Sequence, residues 1–418
     1  MYDFHMKTRR QEGEKTRQLL CSFRSECQKI LEDNILKFWL INMQDNEQGG
    51  WYGQMRGDGT VVKTANKGGI LNARLLWTFS AAYRLTGNRV YFDAAKRCKE
   101  YILSHFIDKE YGGTYWDLDY EGNPVDTKKQ FYALGFMLYG LSEYVRATGD
   151  KEALEYALQL FDCIESRSLD IINGGYIEAC TREWGEISDM RLSEKDENYP
   201  KSQNTHLHII EPYANLYRVC PTPRVEDALR RLINLFIYKI LNPKTHHLDL
   251  FFSMDWKRMG QLESYGHDIE CSWLLHEAAL VLNDSALLKK TEPVVLMVAK
   301  ASEKGLQTDG SMCYEANLET GYFCEERHWW VQAETVVGFF NIFEHFCDDE
   351  ALSKSLKCFD YIKSHLIDYE GGEWWWSCDA QGNINRNEDK AGFWKCPYHN
   401  GRMCMELMER IKKMKNEK

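Results

Sequence analysis

Apolar side chains recur along the chain with the period of amphipathic helices, and the helices come in pairs. In the first clear pair, Leu75, Leu76, Phe79 and Tyr83 line one helical face, and a second apolar face follows after a Thr-Gly-Asn turn. This spacing is typical of a helix with one buried side. Glycine ends helices readily because it adopts the left-handed conformation without strain. The pattern predicts a helical hairpin.

A glycine-glycine-aromatic segment follows each predicted hairpin and recurs at a spacing of roughly 60 residues. Clear copies lie at residues 49–52, 112–116, 174–176 and 371–374, and a weaker copy lies at 309–312. The long gap after the third copy leaves room for one more unit, whose degenerate marker is predicted at 246–249. Alternating polar and apolar residues after the glycines predict short β-hairpins. The chain is therefore read as six two-helix units.

Six helical hairpins can form an open solenoid or a closed ring. The chain has neither polar capping repeats nor a proline- and serine-rich linker, and its first and last units are equally aromatic. These features favour the ring. We predict an all-α fold, an (α/α)6 barrel with short β-hairpins in its connecting loops, forming one domain over residues 19–418. Residues 1–18 are highly charged and are predicted to form a polar N-terminal extension.

Charge and composition narrow the class of protein. The net charge is −11, whereas nucleic-acid-binding proteins are usually basic. No run approaches the ~18 apolar residues of a membrane span, and the N-terminus lacks the apolar core of a signal peptide. The 14 cysteines show no regular framework, which is typical of reduced thiols. We expect a cytoplasmic monomer that binds neither nucleic acid nor membrane. Aromatic residues, 13% of the chain, suit sugar faces as well as cores.

Unusual side chains cluster where the inner helices of such a ring would begin. Because those helices start at the same end of the barrel, their first residues surround one cavity. The candidates are Arg74, Tyr132, Asn204, His208, His267, Glu270, Trp329, Trp330, Trp394, His399 and Arg402. The three histidines share one phase of the repeat, which favours function over capping. By contrast, His105 and His365 occupy equivalent positions away from the cavity and are expected to be structural.

Two histidines on opposite sides of a cavity suit proton transfer, because imidazole changes protonation near neutral pH. One histidine would remove a proton from one face of a carbon next to a carbonyl group, and the other would return a proton to the opposite face. This reaction is an epimerisation. The enediolate intermediate needs a cation at its oxygen, and Arg74 is the best candidate. His208 could assist ring opening or hold a hydroxyl. Glu270, three residues after His267, is expected either to orient that imidazole or to cap the helix.

Other interpretations remain open on the residues alone. Arg74 fits an ordinary ion pair, and the tryptophans fit a core as well as a sugar-stacking surface. A glycoside hydrolase would use a carboxylate pair, for which Glu211, Glu270 and Glu334 are available. A non-enzymatic sugar-binding protein is a further alternative. The pairs at residues 206/208 and 246/247 lack third and fourth metal ligands at familiar spacing, so we expect no metal, and no nucleotide motif predicts a cofactor.

Three motifs make a family resemblance visible. Residues 264–270 (SYGHDIE), 329–334 (WWVQAE) and 394–402 (WKCPYHNGR) resemble motifs of the N-acylglucosamine 2-epimerase superfamily, most closely its cellobiose 2-epimerase branch. The similarity is collinear over roughly residues 20–410. It implies an (α/α)6 barrel and cofactor-free, reversible epimerisation at C2 of the reducing-end glucose of β-1,4-linked disaccharides. Cellobiose would give glucosyl-mannose, and lactose would give epilactose.

The resemblance also implies roles for individual residues. His267 and His399 match the acid/base pair, His208 a histidine of ring opening or sugar binding, and Arg74 the arginine near O1 and O2. Glu270 matches the glutamate beside the first histidine. Expected substrate-binding residues are Tyr132, Asn204, Asp196, Trp329, Trp330, Trp394 and Arg402, with Asp196 assigned to the distal sugar. Residues 198–203 depart from the family pattern, so a mannose isomerase or an N-acylglucosamine 2-epimerase remains the alternative within the superfamily.

Overall fold

The computed structural model describes the backbone of residues 2–416 and the side chains of residues 14–414. This part of the chain contains thirteen α-helices: α1 Tyr2–Lys29, α2 Lys37–Asn42, α3 Gly69–Thr86, α4 Arg89–Tyr101, α5 Phe131–Thr148, α6 Lys151–Arg167, α7 Gln203–Val219, α8 Pro223–Leu235, α9 Tyr265–Leu282, α10 Ser285–Ser302, α11 Trp329–Phe346, α12 Asp349–Tyr361 and α13 His399–Asn416. A π-helical segment, Ile30–Leu36, joins α1 to α2. Similar segments extend α4, α8 and α12, at Ile102–Phe106, Phe236–Ile240 and Ile362–Leu366, and a 3-10 turn, Glu303–Gly305, extends α10.

The helices form two concentric rings. Each of α3, α5, α7, α9, α11 and α13 contacts the next of this set, and α13 contacts α3, so the inner ring is closed. Helices α4, α6, α8, α10 and α12 each pack outside the inner helix that precedes them, and α1 packs against α13. The prediction of an (α/α)6 barrel is confirmed. The open solenoid is wrong, because a solenoid would leave its two end helices apart.

Hydrophobic patterning explains which helices lie inside. The outer helix α8 buries Val225, Ala228, Leu229, Leu232 and Ile233, which is a single apolar stripe. The inner helix α5, in contrast, buries every residue from 131 to 145. A helix that is apolar on all sides can only be stable with neighbours all round. The sequence therefore sorts the helices into the two rings.

The repeat markers form six similar turns. Each turn closes with an antiparallel bridge, at Gln44–Trp51, Ile107–Thr114, Leu169–Tyr176, Leu241–Leu248, Leu306–Met312 and Ile367–Trp374. The predicted degenerate marker is confirmed by the fourth of these bridges. In this turn His246 has a φ of 63°, which is a left-handed conformation. The equivalent residue of the preceding unit is Gly174, whose φ is 77°.

Short strands set where the inner helices begin. The thirteen strands of the described residues are β1 Lys67–Gly68, β2 Asp117–Leu118, β3 Pro124–Asp126, β4 Lys129–Gln130, β5 Ala179–Cys180, β6 Lys201–Ser202, β7 Phe251–Phe252, β8 Arg258–Met259, β9 Glu263–Ser264, β10 Glu315–Asn317, β11 Tyr322–Phe323, β12 Arg327–His328 and β13 Ser377–Cys378. Strands β1, β4, β6, β9 and β12 each lead directly into an inner helix. Each pairs antiparallel with a strand of the next unit, as β1–β2, β4–β5, β6–β7, β9–β10 and β12–β13. A bridge between Met55 and Ala391 joins the first and last units.

Buried ion pairs tie three of these strands to the preceding turns. Lys67 Nζ lies 2.7 Å from Asp45, and the same distance separates Lys129 from Asp108 and Lys201 from Asp170. Each lysine lies two residues before the first residue of an inner helix. Removing one partner of a buried pair typically costs about 3–5 kcal/mol, because the other charge stays desolvated. These pairs therefore hold the starts of the inner helices at one end of the barrel.

The remaining predictions on organisation meet the structure only in part. The backbone of residues 2–18 lies in α1, whereas Met1 and the side chains of residues 1–13 fall outside the described residues. The assignment of residues 1–18 to a polar extension stays a prediction, as does the assignment of residues 19–418 to a single domain. No helix within residues 2–416 is long and apolar enough to cross a membrane. All 14 cysteines, which lie between residues 21 and 404, are free thiols.

Candidate active site

His399 is the first residue of α13 and is 5% exposed. Its Nδ1 lies 2.7 Å from Glu334 Oε1 on α11. A carboxylate can only accept here, so Nδ1 carries the ring proton and Nε2 keeps a free lone pair. Burial lowers the pKa of His399 to about 3, although Glu334 acts in the opposite direction. The imidazole is therefore neutral at physiological pH and able to accept a proton.

His267 is the third residue of α9 and lines the cavity at the mouth of the barrel. Its Nδ1 lies 2.8 Å from Ser264 Oγ, and the same hydroxyl oxygen caps the helix by accepting from the backbone N–H of His267. Burial lowers the pKa of His267 to about 3. The expectation that Glu270 orients this imidazole is wrong, because Ser264 occupies Nδ1 and Glu270 binds elsewhere.

Trp330 brings the two histidines into one site. Its ring centroid lies 5.0 Å from that of His267 and 5.6 Å from that of His399. Gly266 makes this approach possible, since a Cβ there would lie 2.8 Å from the indole ring. Trp329 instead packs 4.6 Å from Trp376 and is 3% exposed. Of the two tryptophans, Trp330 therefore is the one that packs against both histidines.

Arg402 lies at the centre of a carboxylate cluster beneath the histidines. Its guanidinium donates to Glu211, to Glu270 at 2.9 Å and to Glu334 at 2.7 Å, and its exposed fraction is 0%. Glu270, predicted to serve His267, thus pairs with Arg402 and lies 3.9 Å from His399 Nδ1. Arg402, predicted to bind substrate, instead positions the acidic groups that hold the histidines.

His208 joins this cluster from α7. Its Nδ1 lies 2.7 Å from Glu211 Oε2, and its ring packs 4.9 Å from Tyr132. Burial lowers its pKa, against the charge of Glu211. His206, two residues away, points elsewhere and accepts from the backbone N–H of Tyr176 at 2.9 Å.

The potential metal ligands among the described residues surround the guanidinium of Arg402. Within the described residues, the two candidate groups are His208 with Glu211 and Glu270, and Glu270 with Glu334 and His399. Arg402 donates to all three carboxylates, so its guanidinium neutralises charge that a metal would otherwise balance. The other histidine pair of the sequence does not converge, because His247 binds Asp268 at 2.6 Å.

Arg74 is a buried cation with neutral partners. It is 3% exposed, and its Nη2 donates to Tyr132 Oη at 3.0 Å. The guanidinium lies over Phe136, 4.3 Å from the ring centre, and Nε has no acceptor. No carboxylate lies within ion-pair distance of it among the described side chains. An ordinary ion pair is thus wrong for Arg74, and its unsatisfied donor suits an anionic oxygen.

A cavity of about 460 Å³ opens beside His267, a size suited to a small-molecule ligand. Asp196 and Asn204, both predicted from the sequence, line it. Asn204 Oδ1 is buried without a partner, whereas Asp196 accepts from Ser193 Oγ at 2.8 Å in its own loop. Trp394 packs 5.9 Å from Tyr132, on the side of Arg74. The predicted residues thus converge from all six inner helices and from two loops.

Sequence reasoning missed two residues of this site. Tyr314 lines the cavity, 6.2 Å from the ring of His267 and 5.4 Å from that of Trp330. Ser264 carries the hydroxyl that binds His267. Ser264 was within reach of sequence analysis, because it occupies the cap position three residues before the histidine. Tyr314 belongs to the next unit's hairpin, and its sequence neighbourhood carries no comparable signal.

The barrel and its site define a carbohydrate epimerase. A sequence profile of the N-acylglucosamine 2-epimerase (GlcNAc 2-epimerase) family matches residues 49–401, and the chain belongs to this family. It is 57% identical to the cellobiose 2-epimerase of Bacteroides fragilis, over 92% of this chain and 98% of that protein. It is 39% identical to the cellobiose 2-epimerase of Ruminococcus albus, over 92% and 98%.

Solved structures agree with this assignment. The cellobiose 2-epimerase of Bacillus thermoamylovorans B4167 superposes with a TM-score of 0.89 at 41% identity, covering 93% of this chain and 99% of that one. A D-mannose isomerase superposes with a TM-score of 0.81 at 19% identity, covering 92% and 97%. At that identity the likeness shows a shared fold alone.

Proposed function

We propose that the enzyme reversibly epimerises C2 of the reducing-end glucose of β-1,4-linked disaccharides, converting cellobiose to glucosyl-mannose and lactose to epilactose. The observation that carries the proposal is the pair of neutral imidazoles, His267 and His399, that contact one indole ring. The similarity to cellobiose 2-epimerases supports the choice of disaccharide. The reaction moves only protons, so it calls for no redox or group-transfer cofactor.

The proposed reaction starts from the ring-opened aldehyde, with His208 as the candidate for assisting ring opening. One imidazole takes the proton from C2, and the C2–H electron pair forms the enediolate. The other imidazole returns a proton to the opposite face of C2. His267 and His399 exchange these roles in the reverse direction. The balance of protons requires one imidazole to carry an additional proton when the other is neutral.

Arg74 is the proposed partner of the enediolate oxygen. A buried guanidinium that lacks a carboxylate gains most when negative charge develops next to it, so it stabilises the intermediate more than the neutral sugar. Trp330 and Trp394 would stack on the sugar, with Tyr132 as a further contact to it. Asn204 and Asp196, on the side of the 460 Å³ cavity, would contact the distal glucose.

The acidic cluster argues against glycoside cleavage. Hydrolysis needs one carboxyl group to protonate the leaving oxygen and a second to act as base or nucleophile. Glu211, Glu270 and Glu334 all bind Arg402 instead, and each is at most 4% exposed. Glu211 and Glu334 each bind a histidine and Glu270 pairs with Arg402, so the three carboxylates are already engaged within the cluster.

Incubation with cellobiose in D2O, followed by proton NMR, tests the proposal. We expect glucosyl-mannose with deuterium at C2. Fructose-containing product would indicate proton return to C1, and free glucose would indicate hydrolysis. Turnover of free mannose without any change in cellobiose would contradict the proposal and favour a mannose isomerase. Binding without exchange would indicate a sugar-binding protein.

A further inference from the structure

The cavity beside His267 has a buried amide with no hydrogen-bond partner in its wall. Gln203, the first residue of α7, lines this cavity and is 0% exposed. Neither Oε1 nor Nε2 of its side chain has a partner within the described part of the chain. A buried polar group without a partner destabilises the fold, and native proteins pair nearly all such groups. The amide therefore calls for a partner that the chain does not supply.

The residues on both sides of Gln203 hold it in place. Its backbone N–H donates to the carbonyl oxygen of Leu250 at 2.8 Å. Glu178 accepts from the backbone N–H of Ser202 at 2.7 Å and from the hydroxyl group of Thr205 at 2.5 Å. The start of α7 is thus fixed before a ligand binds, which lowers the entropic cost of binding.

The free amide selects the chemistry of its partner. An amide oxygen accepts hydrogen bonds, and an amide nitrogen donates them. A carboxylate could bond only to the nitrogen of Gln203, and an ammonium group only to the oxygen. Hydroxyl groups both donate and accept, so two adjacent hydroxyl groups of a sugar can satisfy both atoms. The neighbouring Asn204 Oδ1 adds a further acceptor without a partner.

The cavity lies to one side of the reacting groups. His267 lines it, whereas His399, Arg74, Trp330 and Trp394 are not among its lining residues. A sugar whose C2 lies between the two imidazoles would therefore extend into this cavity with its attached glycosyl unit. The reacting ring itself would stay on the side of the other four residues.

We propose that Gln203 is a specificity-determining residue that binds two adjacent hydroxyl groups of the glycosyl unit attached to the reacting glucose. This inference rests on the proposed function, which supplies the disaccharide, and adds the residue that recognises its distal half. The amide is remote from the reacting carbon, so it stabilises the bound substrate and the transition state equally. Its loss should then raise KM without lowering kcat.

Gln203→Met tests this role, because methionine keeps the length of the side chain and lacks the amide. We expect KM for cellobiose to rise about tenfold while kcat stays within about twofold, since two neutral hydrogen bonds to the substrate are lost. The melting temperature should be unchanged or higher, because no hydrogen bond within the protein is removed. An unchanged KM, or a loss confined to kcat, overturns the inference.

Gln332→Met is the matched control for stability. Gln332 is also 0% exposed and lies near the start of an inner helix, α11. Its amide is fully paired, because Oε1 accepts from the backbone N–H of Met312 and Nε2 donates to the carbonyl oxygen of Met312, both at 2.8 Å. We expect its melting temperature to fall by about 3 °C or more. An equal fall for Gln203→Met would mean that its amide has a structural role, which overturns the inference.

Substrate analogues test which sugar the amide contacts. We would measure KM for derivatives of cellobiose that each lack one hydroxyl group of the distal glucose. Two derivatives with adjacent missing hydroxyl groups should have a raised KM with the wild type and no further increase with Gln203→Met. This non-additivity is the signature of a direct contact. Additive effects for every derivative overturn the assignment to the distal unit.

Binding without turnover separates this inference from the proposed function. Cellobiitol, the reduced form of cellobiose, keeps the distal glucose and has no carbonyl group, so it cannot form an enediolate. We expect calorimetry to give a Kd about tenfold higher for Gln203→Met than for the wild type, the size of effect that loss of two neutral hydrogen bonds produces. Equal affinities alongside epimerisation of cellobiose would contradict the role of Gln203 and leave the proposed function intact. The tenfold difference without epimerisation would contradict the proposed function and leave the contact of Gln203 established.

Discussion

Glu334 binds Nδ1 of His399 at 2.7 Å although the two residues lie 65 positions apart on different inner helices. This contact assigns the ring proton to Nδ1 and leaves Nε2 with a free lone pair. Because Arg402 donates to the same oxygen at 2.7 Å, Glu334 stays ionised, and its pKa is lowered. The carboxylate can therefore stabilise the imidazolium that forms when His399 accepts a proton.

Replacement of either cavity histidine by alanine should abolish turnover while sugar still binds. We expect His267→Ala and His399→Ala each to lower kcat by about 10³-fold, the usual range for a lost general acid or base. Calorimetry with cellobiose should still detect binding. His105→Ala is the control, because His105 stacks on Tyr101 at 4.4 Å outside the cavity. Near-normal turnover by either cavity variant would contradict the two-base reaction.

Ser264→Ala should affect both stability and catalysis. The hydroxyl caps α9 and binds His267 Nδ1, so its loss should cost about 1 kcal/mol of unfolding free energy and lower kcat about tenfold. Thr222→Ala is the matched control for Ser264→Ala, because Thr222 also caps a helix, the outer helix α8, and belongs to no part of the site. It should lose similar stability in urea titrations and keep its kcat. Equal kinetic effects of the two variants would refute an orienting role for Ser264.

Arg74→Met should separate function from stability. We expect kcat to fall by about 10²-fold or more, because a cation at the enediolate oxygen is lost. Thermal stability should be unchanged or higher, since a buried cation without a carboxylate is removed. Arg84→Met should behave in the opposite way and lose about 2 kcal/mol, because Arg84 pairs with Glu143 at 2.7 Å and Glu409 at 3.1 Å. The kcat and the melting temperature of both variants test this prediction. A lower melting temperature with normal kcat for Arg74→Met would contradict it.

The buried histidines predict a distinctive pH dependence of activity. Burial lowers the pKa of His267 and His399 to about 3 in the folded enzyme. Both imidazoles therefore stay neutral well below 6.5, where an exposed histidine is half protonated. We expect the pH profile of kcat/KM for cellobiose to show no half-point near 6.5, the pKa of an exposed histidine. A half-point near 6.5 in that profile would mean that the catalytic imidazoles titrate as exposed ones.

Stability should decrease as the pH falls below about 6.5, and His276 offers a clean test. Burial lowers its pKa to about 4, so between pH 6.5 and 4 the unfolded chain binds a proton that the folded chain does not. Each such group lowers the unfolding free energy by up to about 1.4 kcal/mol per pH unit. Urea titrations at pH 7 and 5 should give a smaller decrease for His276→Asn than for the wild type. Identical decreases would contradict a neutral His276.

The sequence by itself determined the architecture and the region of the site. The spacing of roughly 60 residues determined the number of two-helix units, and apolar residues on every side of α5 marked it as an inner helix. The shared phase of His208, His267 and His399 placed them at the same end of the barrel. These conclusions depend on local periodicity, which a sequence displays directly.

Only the tertiary structure decided which side chains meet across the barrel. The spacing of three residues on one helix predicted that Glu270 would contact His267. In the structure Ser264 binds that histidine, and Glu270 binds Arg402, which is 132 residues away in the sequence. Arg402 also reaches Glu211 at a separation of 191 residues. A repeat fixes the height and phase of a residue, whereas its partners depend on how six helices close into a ring. The cluster of three carboxylates around Arg402 follows from that closure.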